Sequence, residues 1–149
     1  MIALRDIQST VAARLNADAY FTAAPAVLAI AYSGLEDSQI ETQLRTRGAV
    51  AVVHPVTRAS RRDQAQAALL FDTEVLVRVH INPAVNYATG GAGRVPLEMV
   101  SSTILAVLRW PPTAGDRAFN CAEEFLQLSV SDDGLLTYDL FFTKLATLS

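Results

Sequence analysis

The chain has 149 residues and a mass of 16.1 kDa, the size of one domain that is long enough to bury a hydrophobic core. Its 51% hydrophobic and 18% charged residues exclude a disordered chain. With 12 Lys and Arg against 15 Asp and Glu, the formal charge of -3 argues against a nucleic-acid grip that depends on broad neutralisation of phosphates.

The number of cysteines and the length of the apolar segments predict the cellular compartment of the protein. The single cysteine, Cys121, rules out an internal disulfide framework and a cysteine-rich zinc site, and it fits a reducing compartment. The segment Met1 to Asn16 is amphipathic and lacks a compact apolar run, so we expect no signal peptide. The apolar stretch Ala23 to Tyr32 covers only about half a bilayer and contains Pro25, so we expect no transmembrane helix and a cytoplasmic location.

The first third of the chain predicts a helix, a strand and an ambiguous segment. Apolar residues at helical spacing predict a helix from about Ala3 to Asn16, and the unbroken apolar run Ala26 to Tyr32 predicts a buried strand. The segment Asp37 to Gly48 alternates as a strand would. Ser38 with Glu41 makes a capping-box pattern, however, and Gly48 suits the left-handed position after a helix, so we favour a helix there.

Two strands and a second long helix are predicted in the middle of the chain. A short strand covers Ala49 to His54, and the stretch Val56 to Gln66, which has few apolar anchors, is predicted to be an exposed basic loop. Strict alternation predicts a long strand from about Ala68 to Ile81 with one face in the core. A loop from Asn82 to Arg94 leads to a helix that begins at Pro96 and ends near Trp110.

The last third predicts a hairpin of two strands, about Glu124 to Val130 and Leu135 to Ala146, because Asp133 and Gly134 between them suit a tight turn. The element order lacks a run of alternating βα units. We therefore expect a single α+β domain with a mainly antiparallel sheet of four to five strands and two long helices packed on one face.

Few residues suit catalysis. His54 is predicted at a strand end and His80 on the wetter face of a strand, and neither suggests an active site. Cys121 is interpreted as a partly buried structural thiol in a loop. The glycines of the loop Asn82 to Arg94 lack the Lys-Ser or Lys-Thr of a phosphate loop, so we interpret them as flexibility in a mobile connection. We expect no catalytic residue, no cofactor and no metal site.

Two features are candidate contacts with a partner. Arg58, Arg61 and Arg62 cluster in the predicted basic loop, where they would reach a partner, line a channel that carries nucleic acid, or form a solvated loop tip. Trp110, which two prolines follow, would anchor a subunit contact or close the core beneath the second helix.

Five segments carry a family resemblance. They are an amphipathic N-terminal helix, "PAVLAIAYSG" from Pro25 to Gly34, "FDTEVLVRVHINP" from Phe71 to Pro83, a helix starting near Pro96, and "DDGLLTYDLFFTK" from Asp132 to Lys144. Their order, over nearly the whole chain, resembles the tail-terminator proteins of long-tailed bacteriophages, the minor tail protein U family and related prophage tail proteins. The stretch from Ser38 to Gln66 is longer than the simplest members of that family need.

The resemblance implies a subunit without enzymatic activity that assembles with copies of itself into a ring, which is expected to be hexameric. The ring would cap the tail tube and meet the head-completion protein, with DNA passing through its lumen only as cargo and no membrane partner. Such a protein would occupy the host cytoplasm during assembly and then the virion tail. The longest predicted loops are assigned to the partner contacts, which adds three residues to the candidates: Asn82, Asn86 and Arg94.

Two alternatives stay open. One is another neck or connector subunit of the same class of virion. The other is a small enzyme or ligand-binding domain that uses the glycine-rich loop and His80.

Overall fold

The computed structural model describes residues 1–62 and 70–148. A short 3-10 turn, Leu4–Asp6, leads directly into the first helix. The helices are α1 (Ile7–Ala17), α2 (Ala19–Thr22), α3 (Asp37–Thr46), α4 (Pro83–Asn86) and α5 (Pro96–Val107). The strands are β1 (Ala29–Ala31), β2 (Ala49–Val53), β3 (Arg58–Arg61), β4 (Leu70–Ile81), β5 (Asn120–Val130) and β6 (Leu136–Thr147). No helix within the described ranges is both long enough and apolar enough to cross a membrane.

The α+β class is confirmed, but the sheet is larger and less regular than predicted. The described residues form six strands in the order β1-β2-β4-β6-β5, with β3 beside β4, whereas four to five were expected. It is also mixed, because β1 pairs with β2 in parallel while the other described strand pairs are antiparallel. The parallel pair follows from α3, since a helix that connects two neighbouring strands returns the chain in the same direction.

The main core lies on the face of the sheet covered by the two long helices, as the sequence predicts. Val11 and Leu15 of α1 and Met99 of α5 are almost fully buried against Val77 and Val79 of β4. Burial of one such side chain stabilises the fold by about 1.5–3 kcal/mol.

The opposite face has a smaller core under α3. Ile40 and Leu44 of this helix pack against Val50 and Val52 of β2 and Ile30 of β1. The sequence did not predict a helix on this side. The ambiguous segment is a helix, with Gly48 at a φ of 75° after it. The predicted capping box is wrong, because the helix starts at Asp37 and no side chain caps it.

Element ends differ from the predictions where the local backbone departs from regular geometry. β1 is shorter than the apolar run that contains it, and α5 ends at Val107 because Leu108 is extended and Arg109 has a φ of 59°. The predicted basic loop is wrong in part, since β3 pairs with β4 between Arg58 and Arg61. The rest of that loop, from Asp63 to Gln66, lies outside the described residues, as does the predicted start of β4 at Ala68.

The connection from Asn82 to Arg94 is organised around Asn86, which is fully buried. Its amide group donates to the carbonyl of Arg94 at 2.8 Å and accepts from the same residue's N–H at 2.9 Å. A Cβ atom on Gly91 would overlap the main chain of Val85, and one on Gly48 would overlap that of Asn86. The interpretation of the glycines as simple flexibility is therefore wrong for Gly91, which close packing requires.

The predicted hairpin is confirmed, with Gly134 at a φ of 83° in its turn. Its first strand begins at Asn120, four residues before the predicted Glu124. The β5–β6 register shifts between Cys121 and Leu126, so residues 122–125 of β5 bulge out opposite Phe141 alone. The bulge breaks the alternation from which strand ends are predicted.

Candidate functional site

The edge of the sheet at β1 is closed by a side chain. Asn16, at the end of α1, donates from Nδ2 to the carbonyl of Ala29 at 2.8 Å and accepts from the N–H of Ala29 at 2.9 Å. Ala29 and Ile30 are nearly buried. Because Asn16 satisfies both outward main-chain groups of Ala29, this edge offers little to a further strand.

The opposite edge, β5, is long and open. Within the described residues, β5 pairs with β6 on one side and with no strand on the other. Its side chains Leu126, Leu128 and Val130 share the sheet face that carries the main core, because they oppose Leu140, Tyr138 and Leu136 in register. Their exposed fractions are nevertheless 41%, 54% and 60%. We call these three residues the β5 stripe.

The β5–β6 hairpin is acidic. From Asn120 to Thr143 it carries five acidic residues and no basic one. Glu123 and Glu124 are exposed in the bulge of β5, and Asp132 and Asp133 are exposed in the turn. The pKa of Asp133 is held below its usual value by hydrogen bonds from the hydroxyl of Ser131 and the N–H of Leu135, so the turn stays charged at neutral pH.

A second exposed edge, β3, is basic. All four residues from Arg58 to Arg61 are exposed, and Arg62 follows at once. Arg62 pairs with Asp72 of β4 at 3.1 Å, an exposed ion pair that adds little stability. A cavity of about 420 Å³ on this side is lined by charged groups of both signs, among them Arg58, Arg117 and Glu74.

The two histidines lie on the face of the sheet opposite the main core. Arg78 forms a bidentate pair with Asp139, with nitrogen–oxygen distances of 2.7 and 3.0 Å. Burial, and then the charge of Arg78, lowers the pKa of His80 to about 4, and Nδ1 of this ring lies 3.0 Å from the hydroxyl of Thr137. Burial and Arg78 also lower the pKa of His54. Both rings are therefore neutral near pH 7.

The thiol of Cys121 lies on the other side of the sheet. Cys121 is in β5 rather than in the predicted loop, opposite the buried Phe142, and it packs against the main core. Burial raises the pKa of this thiol, which keeps it protonated. The sheet separates it from both histidines. Across the two described ranges, no three His, Cys, Asp or Glu side chains are grouped to hold a metal ion.

The candidate contact residues in other parts of the chain have mixed positions. Trp110 stacks on Phe119 at 5.8 Å and lies under the guanidinium of Arg14, so it closes the core beneath α5. The buried Asn86 lies beneath the surface of the single subunit. Arg94 bonds to the carbonyls of Ala23 and Pro25. Asn82 is half-buried, and its N–H donates to the carbonyl of Gly48.

Sequence reasoning missed two features of this site. The β5 stripe has a local signal, since Leu126, Leu128 and Val130 alternate with polar residues. Such alternation predicts a buried face, however, and does not reveal that the face is left uncovered. The Asn16 cap has no local signal, because its bonding partner Ala29 is 13 residues away.

No protein-family model matches the chain, and no curated protein sequence is significantly similar to it.

Proposed function

We propose that the protein is a non-enzymatic structural subunit that assembles with copies of itself through the open edge of β5. The resulting ring would act as a tail terminator, which caps the tail tube and joins it to the head-completion protein. The observation that carries this proposal is the β5 stripe on a strand whose outer edge is unpaired among the described residues.

The energetics favour covering this edge. A long edge strand with apolar side chains is a template for another strand, and natural proteins usually blunt such edges. Each of Leu126, Leu128 and Val130 already has about half of its surface exposed. Covering them would remove apolar area worth about 25 cal/mol per Å² from water, and the strand's free N–H and carbonyl groups would gain partners.

The positions of the titratable groups also support a structural role over the enzyme alternative. The neutral histidines and the protonated Cys121 lie on opposite faces of the sheet, and Asp139 is engaged by Arg78. A nucleophile, a base and an orienting group within hydrogen-bonding reach of one another are what covalent catalysis needs.

The test is the oligomeric state over a range of concentrations, measured by light scattering after size exclusion and by electron microscopy. We expect the wild-type protein to form rings at high concentration or at the ends of tail tubes. Leu128→Lys, which places a charge in the β5 stripe, should weaken this assembly at least about tenfold. Leu35→Lys is the matched control, because Leu35 is 88% exposed but lies outside the β5 stripe.

A wild-type protein that stays monomeric at high concentration and in the presence of tail tubes would contradict the proposal. Equal loss of assembly in the Leu128 and Leu35 variants would contradict the assignment to β5.

A further inference from the structure

We propose that the β5 edge of one subunit pairs with the β3 edge of the next, so that copies join head to tail through opposite charges. This inference rests on the proposed self-assembly and names the partner surface. Of the three strand edges described above, β5 is acidic, β3 is basic, and β1 is closed by Asn16.

The β3 edge has charges that a partner would neutralise. Arg58, Arg61 and Arg62 lie in an eight-residue stretch, Pro55 to Arg62, that contains no acidic residue. Arg62 is already paired with Asp72, whereas Arg58 and Arg61 are exposed on the strand itself. Exposed arginines blunt a strand edge against most partners, but an acidic strand would turn them into a favourable contact.

The β5 edge supplies that acidic strand. Glu123 and Glu124 lie in the bulge, where both carboxylates are exposed. They line a cavity of about 350 Å³ together with Arg58 of the same chain, yet within the described residues no ion pair joins either glutamate to this arginine. Their charges are therefore available to a neighbouring subunit.

Charge also argues against the symmetrical alternative, in which two β5 edges pair with each other. That contact would bring two acidic hairpins together, and like charges that face each other destabilise an interface. A contact between two different surfaces repeats from copy to copy and closes into a ring when the rotation allows it. Head-to-tail pairing is thus the contact that a ring requires.

Charge reversal tests the pairing. Arg58→Glu with Arg61→Glu makes β3 acidic, and Glu123→Arg with Glu124→Arg makes β5 basic. We expect each double variant alone to assemble at least about tenfold more weakly than wild type, since like charges then meet. A 1:1 mixture of the two should recover assembly with the variants alternating, because each contact then joins opposite charges.

The control is Arg5→Glu with Arg45→Glu, which changes the net charge by the same amount at exposed arginines away from β3. This variant should assemble as wild type does. If the Arg58→Glu, Arg61→Glu variant assembles as strongly as the wild type, head-to-tail pairing through β3 is overturned, but self-assembly is not. Failure of the mixture to recover would overturn it too, provided that circular dichroism shows both variants to be folded. A monomeric wild-type protein would instead overturn the proposed function, and this inference with it.

Discussion

The two ends of the sheet are built in opposite ways. At one end, β1 is three residues long, has α1 on one face and α3 on the other, and its outward groups at Ala29 are bonded by Asn16. At the other end, β5 is 11 residues long and exposes apolar side chains on the face that elsewhere holds the core. One end is closed within the subunit, and the other has an outer edge that pairs with no described strand.

The difference shows how a fold restricts its own association. Any sheet that does not close on itself has two edges, and both are templates for pairing. Here the amide of Asn16 closes one edge at Ala29, and exposed arginines occupy both ends of β3. The part of β5 from Leu126 to Val130, beyond its bulge and its two glutamates, has no such protection, although the same chain protects its other edges.

The largest expected effect comes from breaking the anchor on the β5 side. Lys144 of β6 and Asp116, in the segment before β5, form an ion pair at 3.0 Å with side chains 0% and 1% exposed. Asp116 also accepts from the N–H of Ile2 at 3.0 Å. Lys144→Met leaves a buried carboxylate without its cation, so we expect a loss of about 3–5 kcal/mol in the free energy of unfolding, measured by urea denaturation.

A matched control is Arg62→Met, which breaks an exposed ion pair with Asp72 and should cost less than about 1 kcal/mol.

The pH dependence of the free energy of unfolding is a second measurement on the buried pair. Burial tends to raise the pKa of Asp116, but hydrogen bonds from Lys144 and the N–H of Arg117 outweigh it and lower the pKa. Because the folded-state pKa is lowered, the ionised carboxylate of Asp116 stabilises the folded protein above about pH 4. This stabilisation is lost as the pH falls and the carboxylate is protonated. If the stability of Lys144→Met falls with pH as steeply as that of the wild type, the Asp116–Lys144 pair does not cause the loss of stability in acid.

The next effect concerns the middle of the sheet, between the two edges. The folded-state pKa of His80 is about 4, below the ordinary value of 6.5. Between pH 6.5 and pH 4, the ring is therefore protonated in the unfolded chain but neutral in the folded protein. Stability from the neutral ring is complete above about pH 6.5 and declines as the pH falls towards 4, by up to about 3 kcal/mol. NMR titration of the ring and urea denaturation at several pH values measure both quantities.

His80→Gln removes the titration and keeps a polar side chain within reach of Thr137. The stability of this variant should change less between pH 6.5 and 4 than that of the wild type. A ring that titrates near 6.5 in the folded protein would contradict the prediction and would mean that this face of the sheet is more open to water.

The sequence predicts the elements whose periodicity is regular and leaves the edges undetermined. β4 and α1 were placed within a few residues, because their apolar residues repeat every second residue or at helical spacing. β3 was missed, since its sequence, RASR, has no large apolar side chain to mark a buried face. Cross-strand pairing with β4 forms it, and that contact lies outside any local window.

The candidate site was only partly predictable for the same reason. The arginines of β3 were singled out by charge alone, which is visible in the sequence. The ion pair between Asp116 and Lys144 and the closure of Ala29 by Asn16 join residues 28 and 13 positions apart, and neither has a local signature. Asn86 was assigned to a loop surface, but its burial follows from the closeness of Gly48 and Gly91, which only the folded chain brings together.

The most direct test of the contrast between the edges comes from Asn16→Ala, whose effect on stability is smaller than that of losing the Lys144 ion pair or protonating His80. This change removes both side-chain bonds to Ala29 and should lower the free energy of unfolding by about 1–2 kcal/mol. It also opens the β1 edge, so light scattering should show that the variant associates further than the wild-type protein does at the same concentration. Asn16→Asp keeps the acceptor for the N–H of Ala29 and loses only the donor, so its stability should fall between the two. If the alanine variant is destabilised without any new association, the cap stabilises the subunit but does not guard the edge, because α1 and α3 already cover β1 from both faces.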